Sequence, residues 1–228
     1  MKILEDLFRI FFPELCANCE NHLTKNEEIV CTFCRHDMPL TDFINYSENK
    51  ITKTFYGRIP LEKATALLYF RKKGITKKLI HELKYEGNEE IGAFFGNWIG
   101  EIIKENNEFS DIDFIIPVPL HQNKLKKRGY NQVLKFGERV SYYLERPLLE
   151  EVLIKTSTSK TQTFKDRFER LNTIDKQFYL NEVSILKNKH VLLIDDVITT
   201  GATLEACAKK IQKTEGVKIS ILTMAFTE

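Results

Sequence analysis

The run Val191-Leu-Leu-Ile-Asp-Asp-Val-Ile-Thr-Thr-Gly-Ala-Thr-Leu204 constrains the fold of this chain more than any other stretch. Val191 to Ile194 are continuously apolar, which suits a strand of a parallel sheet covered on both faces. Asp195 and Asp196 stand at its C-terminal end. The loop that follows, Val197 to Ala202, holds hydroxyls and one glycine, and a helix is expected to begin near Gly201 to Thr203 and run to about Thr214. Ligands of open α/β sheets bind at such a place, outside the carboxyl ends of the strands. A helix N-terminus offers unpaired N–H groups and a positive dipole end, and so suits a phosphate. Thr199, Thr200 and Thr203 add hydroxyl donors, and Gly201 and Ala202 leave the backbone accessible. Asp195 and Asp196 would repel that phosphate, so they must face another part of the ligand: vicinal ring hydroxyls, or Mg²⁺ held on them. The loop therefore asks for a sugar phosphate. It is no Walker loop, since the G-x-x-x-x-G-K pattern is missing.

Four of the five cysteines form two C-x2-C pairs, Cys16/Cys19 and Cys31/Cys34. That spacing reads as a tetrahedral Zn²⁺ site, closed by four thiolates and therefore structural rather than catalytic. A pair of disulfides is the rival, and it needs an oxidising compartment that nothing in the sequence indicates. The fifth cysteine, Cys207, falls inside the helix after the loop and reads as a small buried apolar residue.

With 34 basic and 32 acidic residues the net charge is +2, so no whole-molecule field argues for nucleic acid, and any such surface must come from local clustering. No apolar run is long enough to span a bilayer, and the N-terminus lacks a cleavage site, which points to a cytoplasmic protein without an integral membrane segment. Leu4, Leu7, Phe8, Phe11 and Phe12 instead have the spacing of an amphipathic helix.

The rest of the chain alternates strands and helices, which predicts an α/β domain with a mostly parallel sheet. Strands are expected at Ala64–Phe70, Phe114 to the prolines before Leu120, Glu151–Ile154 and Val217–Phe226; helices at Ile75–Tyr85, Glu89–Lys104, Gln132–Leu144 and Asp166–Ile174. Polar residues 41–59 read as a connector, which divides the chain into an N-terminal module (1–60) and an α/β domain (61–228). Lys124, Lys126, Lys127 and Arg128 crowd a loop leaving the end of a strand, well placed for a pyrophosphate. Taken alone, such a run also reads as a solvated charge cluster. Residues 155–172, with Lys160, Gln162, Lys165, Arg167 and Arg170, have the composition of a flap that closes over a ligand, and equally of an ordinary exposed loop and helix.

The acid loop matches, at Asp195, Asp196, Thr199, Thr200, Gly201 and Thr203, the phosphoribosyl-pyrophosphate (PRPP) motif of type I phosphoribosyltransferases. The order of segments resembles the ComF family of bacterial competence proteins over nearly the whole chain. It comprises the cysteine pairs, Leu83-Lys84-Tyr85-x-Gly87, Pro117-Val-Pro-Leu-His with Arg128-Gly-Tyr-Asn-Gln132, a T-x-Q…R-x-N stretch containing Arg170, and the PRPP motif. The resemblance implies a phosphoribosyltransferase-like parallel sheet flanked by helices with a small N-terminal zinc ribbon. It also implies PRPP bound with Mg²⁺, Asp195 and Asp196 as the residues nearest the chemistry, and Lys84, Lys124, Lys126, Lys127, Arg128 and Arg170 on pyrophosphate or DNA. The implied role is handling incoming single-stranded DNA beside the competence machinery. A working phosphoribosyltransferase with an unknown acceptor, or a PRPP-sensing regulator, are the alternatives. Family members often carry arginine where this chain has Lys124 and Lys126, and lysine keeps the charge but loses the bidentate fork.

Overall fold

A computed structural model describes residues 12–43, 45–155 and 177–228. The amphipathic segment up to Phe11 and the flap containing Arg170 lie outside these residues.

Strand β1 (Ala64–Phe70), β2 (Phe114–Pro117), β5 (His190–Ile198) and β6 (Lys218–Thr227) form one parallel sheet in the order β1-β6-β5-β2. The two central strands are buried on both faces, which is why their sequences run apolar without alternation. Strand β2 stops at Pro117, which lacks the N–H that a ladder needs. A short antiparallel pair, β3 (Leu153–Lys155) and β4 (Phe178–Leu180), stands beside the main sheet.

A short first helix, α1 (Thr32–His36), lies in the cysteine segment, and two apolar layers cover the sheet. Helices α3 (Ile75–Tyr85), α4 (Glu90–Asn106) and α6 (Leu134–Leu144) bring Leu83, Phe95, Ile99, Phe136 and Val140 against Leu192, Ile194 and Leu222. On the other face α2 (Lys50–Phe55) and α7 (Ala202–Ile211) bring Ile51, Phe55, Cys207 and Ile211 against Val191, Leu193 and Ile221. Cys207 is fully buried in this layer. At the N-terminal ends of the strands, His190 bridges Asp111 (3.0 Å) and Ser220 (2.9 Å). Ser220 is 0% exposed, so this serine–histidine–aspartate row pins strand ends together and cannot receive a substrate.

Three local features differ from the sequence expectation. The basic segment read as a loop is a helix, α5 (Gln122–Arg128), started by the His121 side chain accepting from Asn123 N–H and ended by Gly129 at φ 90°. The stretch read as a connector contains α2, whose Asn49 closes a capping box with Thr52. Strand β5 runs through both aspartates to Ile198, because β6 is long enough to keep pairing with it (Asp195 opposite Thr223, Ile198 opposite Phe226).

Helices α4 and α6 approach closely through Gly92, Gly96 and Gly100, one residue per turn on a single face of α4. A Cβ at Gly96 would lie 2.7 Å from both Phe136 O and Arg139 Cβ, a gap that backbone atoms cannot yield cheaply. Gly96→Val is expected to lower stability by about 1–3 kcal/mol or more through overpacking. Urea unfolding checks this, and an unchanged midpoint would contradict the close approach.

Candidate functional site

The site forms where β5 leaves the sheet. Successive strand residues turn to opposite faces, so the adjacent acids meet different partners. Asp196, 5% exposed, faces α3 and α6: Lys84 Nζ lies 3.1 Å from its Oδ1, and Gln132 Nε2 donates to its Oδ2 at 2.5 Å. Asp195 is partly buried, and its Oδ1 accepts the Asp196 N–H at 2.8 Å. It faces Cys207 of α7 and Lys155 at the end of β3, both within electrostatic reach. Burial and the neighbouring Asp196 charge push the Asp195 carboxyl up to about 8. Asp196 is thus a paired anion, whereas Asp195 is a carboxylate in want of a cation or a hydroxyl donor.

The turn from β5 into α7 carries Thr199 and Thr200, both exposed, and Gly201 at φ 74°. Gly201 is doubly constrained, since a Cβ there would also meet the Phe55 ring at 2.7 Å. No side chain caps the start of α7, although the Thr200 hydroxyl lies 3.4 Å from Ala202 N–H. Its first-turn N–H groups lack intrahelical partners, and Thr203 is exposed like Thr199 and Thr200, which suits a phosphate. Arg58 braces the turn: Nη1 donates to Thr200 O at 3.0 Å, and its guanidinium also pairs with Glu205. Sequence reasoning missed Arg58, which sits in the stretch read as a connector.

Lys84, Lys124, Lys127 and Arg128 line one recess of about 250 Å³ beside the acids, together with Tyr85, Gly87 and Tyr130. Lys126 lies on α5 outside that lining, exposed. Lys155 was not singled out from the sequence. Burial lowers its pKa, and the charge of Lys124 lowers it further while Cys207 and Asp195 oppose this. Lys84 and Lys155 therefore set two cations beside the acid pair, with the charge of Lys124 reaching Lys155. Three larger hollows are lined neither by the acids nor by Lys84, and size alone does not mark the chemistry.

The cysteine module sits at one edge of the α3–α4 layer. The Sγ atoms of Cys16, Cys19, Cys31 and Cys34 all lie within 4.8 Å of one another, with Cys19 and Cys31 at 3.6 Å. Four Zn–S bonds of about 2.3 Å place tetrahedral sulfurs roughly 3.8 Å apart, so this set could hold zinc. Backbone and amide donors already point at the sulfurs (Cys31 N–H to Cys16 at 3.3 Å, Asn18 Nδ2 to Cys34 at 3.2 Å), which fits thiolates. Cys16, Cys31 and Cys34 share a continuous core with Leu79 and Phe94, and the Arg35 guanidinium lies 4.5 Å from the Trp98 ring. No helix among the described residues is long and apolar enough to cross a membrane.

The phosphoribosyl transferase domain family model matches residues 134–226. The chain is similar to the competence protein ComFC of Streptococcus pneumoniae (strain ATCC BAA-255 / R6), 33% identical over 92% of this chain and 79% of that one. It also resembles competence protein F of Haemophilus influenzae, 32% identical over 48% of each chain, so only about half of that relative's length is spanned. The DNA utilization protein YhgH of Escherichia coli O157:H7 is 26% identical over 65% of this chain and 66% of that one.

Two outcomes are expected. The elevated Asp195 pKa contributes stability below the unfolded carboxyl value, and that contribution is lost as pH rises through about 8. Unliganded Asp195→Asn should therefore melt above the wild type at pH 8 and converge with it near pH 4; the reverse order would contradict the burial. Zinc analysis should find one ion per chain, lost in Cys31→Ser. Because the cysteines share the core, that loss should lower the melting temperature of the whole chain in one transition.

Proposed function

From its membership of the ComF family, we propose that this chain binds PRPP with Mg²⁺ and acts in DNA uptake, handling single-stranded DNA. The observation that carries the ligand reading is the contrast at the end of β5: Asp196 has its cation and donor in the protein, while the Asp195 carboxyl, pushed up by burial and by the Asp196 charge, has no ion-pair partner among the described residues. A ribose diol, or the metal that accompanies it, supplies what Asp195 lacks. The names of the relatives support the DNA role, and the α5 cations Lys124, Lys126, Lys127 and Arg128 give it a basic surface.

In this reading the N–H groups at the start of α7 and the hydroxyls of Thr199, Thr200 and Thr203 hold the 5′-phosphate, with Gly201 and Ala202 giving close backbone approach. Arg58 keeps the turn in place through Thr200 O. Lys84 and Lys124, with Lys155 behind them, meet the pyrophosphate. Asp195 and Asp196 would hold Mg²⁺, which supplies charge neutralisation on the diol and pyrophosphate oxygens when bound. Asp195 and Asp196 also set negative charge beside the anomeric carbon, where a positive charge would develop if pyrophosphate left.

Thermal unfolding with PRPP–Mg²⁺ tests the reading. At about a hundred times its dissociation constant the ligand should add ~2.7 kcal/mol, or roughly 5–10 °C for a chain of this size. The Asp195→Asn/Asp196→Asn variant should lose that shift relative to its own unliganded melting temperature. No wild-type shift, or an equal shift in the double variant, would overturn the proposal.

A further inference from the structure

The recess beside the acid pair has a feature that a pyrophosphate site does not require. Tyr85, the last residue of α3, is 69% exposed although its neighbour Leu83 is fully buried. The Arg128 guanidinium lies 5.6 Å from the Tyr85 ring centroid, and the His81 ring 4.9 Å from it. Tyr130, across the recess, is fixed by its hydroxyl donating to Leu83 O, so its ring is a set wall. Arg128 is itself anchored by Gln132, the residue that also donates to Asp196. Lys127 lines the same space and has no acidic partner among the described residues. Lys84, adjacent to Tyr85, reaches Asp196 at 3.1 Å, so the recess opens one residue away from the acids.

An exposed aromatic ring beside a guanidinium, next to an ammonium with no acidic partner among the described residues, is the chemistry that stacks a nucleobase and holds its phosphate. The recess, about 250 Å³, is of a size for a single planar ring system.

We infer that this recess receives one unpaired nucleotide, its base stacked on the Tyr85–Arg128 pair and its phosphate met by Lys127, beside the sugar-phosphate site. The inference deepens the proposed function and rests on it. It places the base of a bound strand, or of a free nucleotide, next to the anomeric carbon of the ribose. Lys84, which reaches Asp196, serves the pyrophosphate with Lys124, whereas Tyr85, Lys127 and Arg128 serve the base and its phosphate.

The test uses the full-length, zinc-loaded protein and two probes: a fluorescent twelve-residue oligothymidylate, and dTMP as its competitor. Wild type should bind the oligonucleotide, Tyr85→Ala should weaken it about tenfold or more, and Tyr85→Phe should stay within about twofold, since stacking needs the ring and not the hydroxyl. The PRPP–Mg²⁺ thermal shift should be the same in Tyr85→Ala as in wild type. An oligonucleotide carrying 5-iododeoxyuridine should crosslink to Tyr85 on irradiation, as mapped by mass spectrometry. If dTMP competes as well per nucleotide, the occupant is a free nucleotide; if the oligomer is much tighter, it is a strand; either supports the stacking site. Equal oligonucleotide binding by wild type and Tyr85→Ala, or no binding of either probe by wild type, would overturn it. Failure of the PRPP reading shows separately, as Tyr85-dependent binding without any PRPP shift.

Discussion

A carboxylate buried at the end of a covered strand must be compensated, and Asp196 is the point on which this structure turns. Its two oxygens are taken by Lys84 from α3 and by Gln132 just before α6, so one side chain of the central strand ties together two helices of the covering layer. The same two partners reach outward: Lys84 adjoins Tyr85, and Gln132 holds Arg128. Ordering of the recess is thus a consequence of satisfying a buried anion. Removing Lys84 would leave an uncompensated buried charge, which costs far more than the pair contributes, and removing Gln132 would leave one oxygen without its donor.

The neighbouring Asp195 is the opposite case. It shares the strand, but beyond the Asp196 N–H its surroundings are a thiol and a lysine whose own charge is disfavoured. A protein that keeps such a group pays in stability where a ligand later gains, the usual relation between strain at a site and its purpose. The brace from Arg58 to Thr200 O and Glu205 shows the surrounding fold holding the turn in shape without a ligand.

The N-terminal cysteine module takes part in the same economy of contacts. Its buried residues Cys16, Val30 and Cys34 extend the α3–α4 layer rather than forming a core of their own, and Arg35 stacks on Trp98 of α4. A metal held by those sulfurs would stiffen the layer whose other end carries Lys84. Residues 50–59 do likewise on the far face, where Phe55 packs under Gly201 and so sets how closely the turn can fold.

The sequence by itself determined the strand, the acid pair and the threonine-rich turn, because a run buried on both faces and a helix start are local patterns written in consecutive residues. It likewise determined the boundaries of β1 and α3 and the spacing of the four cysteines, which rest on periodicity and short-range geometry. Tertiary structure alone decided that the two aspartates face opposite layers, since strand β5 continues through them only because β6 is long enough to pair. It decided that α5 is a helix despite its run of cations, which a local cap and Gly129 make possible. It also brought Arg58 and Lys155 to the site from segments distant in sequence, neither of which carries a signal of its own, and set Tyr85 of the Leu83-Lys84-Tyr85-x-Gly87 segment beside Arg128. Contacts of that kind arise when separate elements pack on one sheet, and no local pattern records which exposed lysine, arginine or tyrosine will meet there.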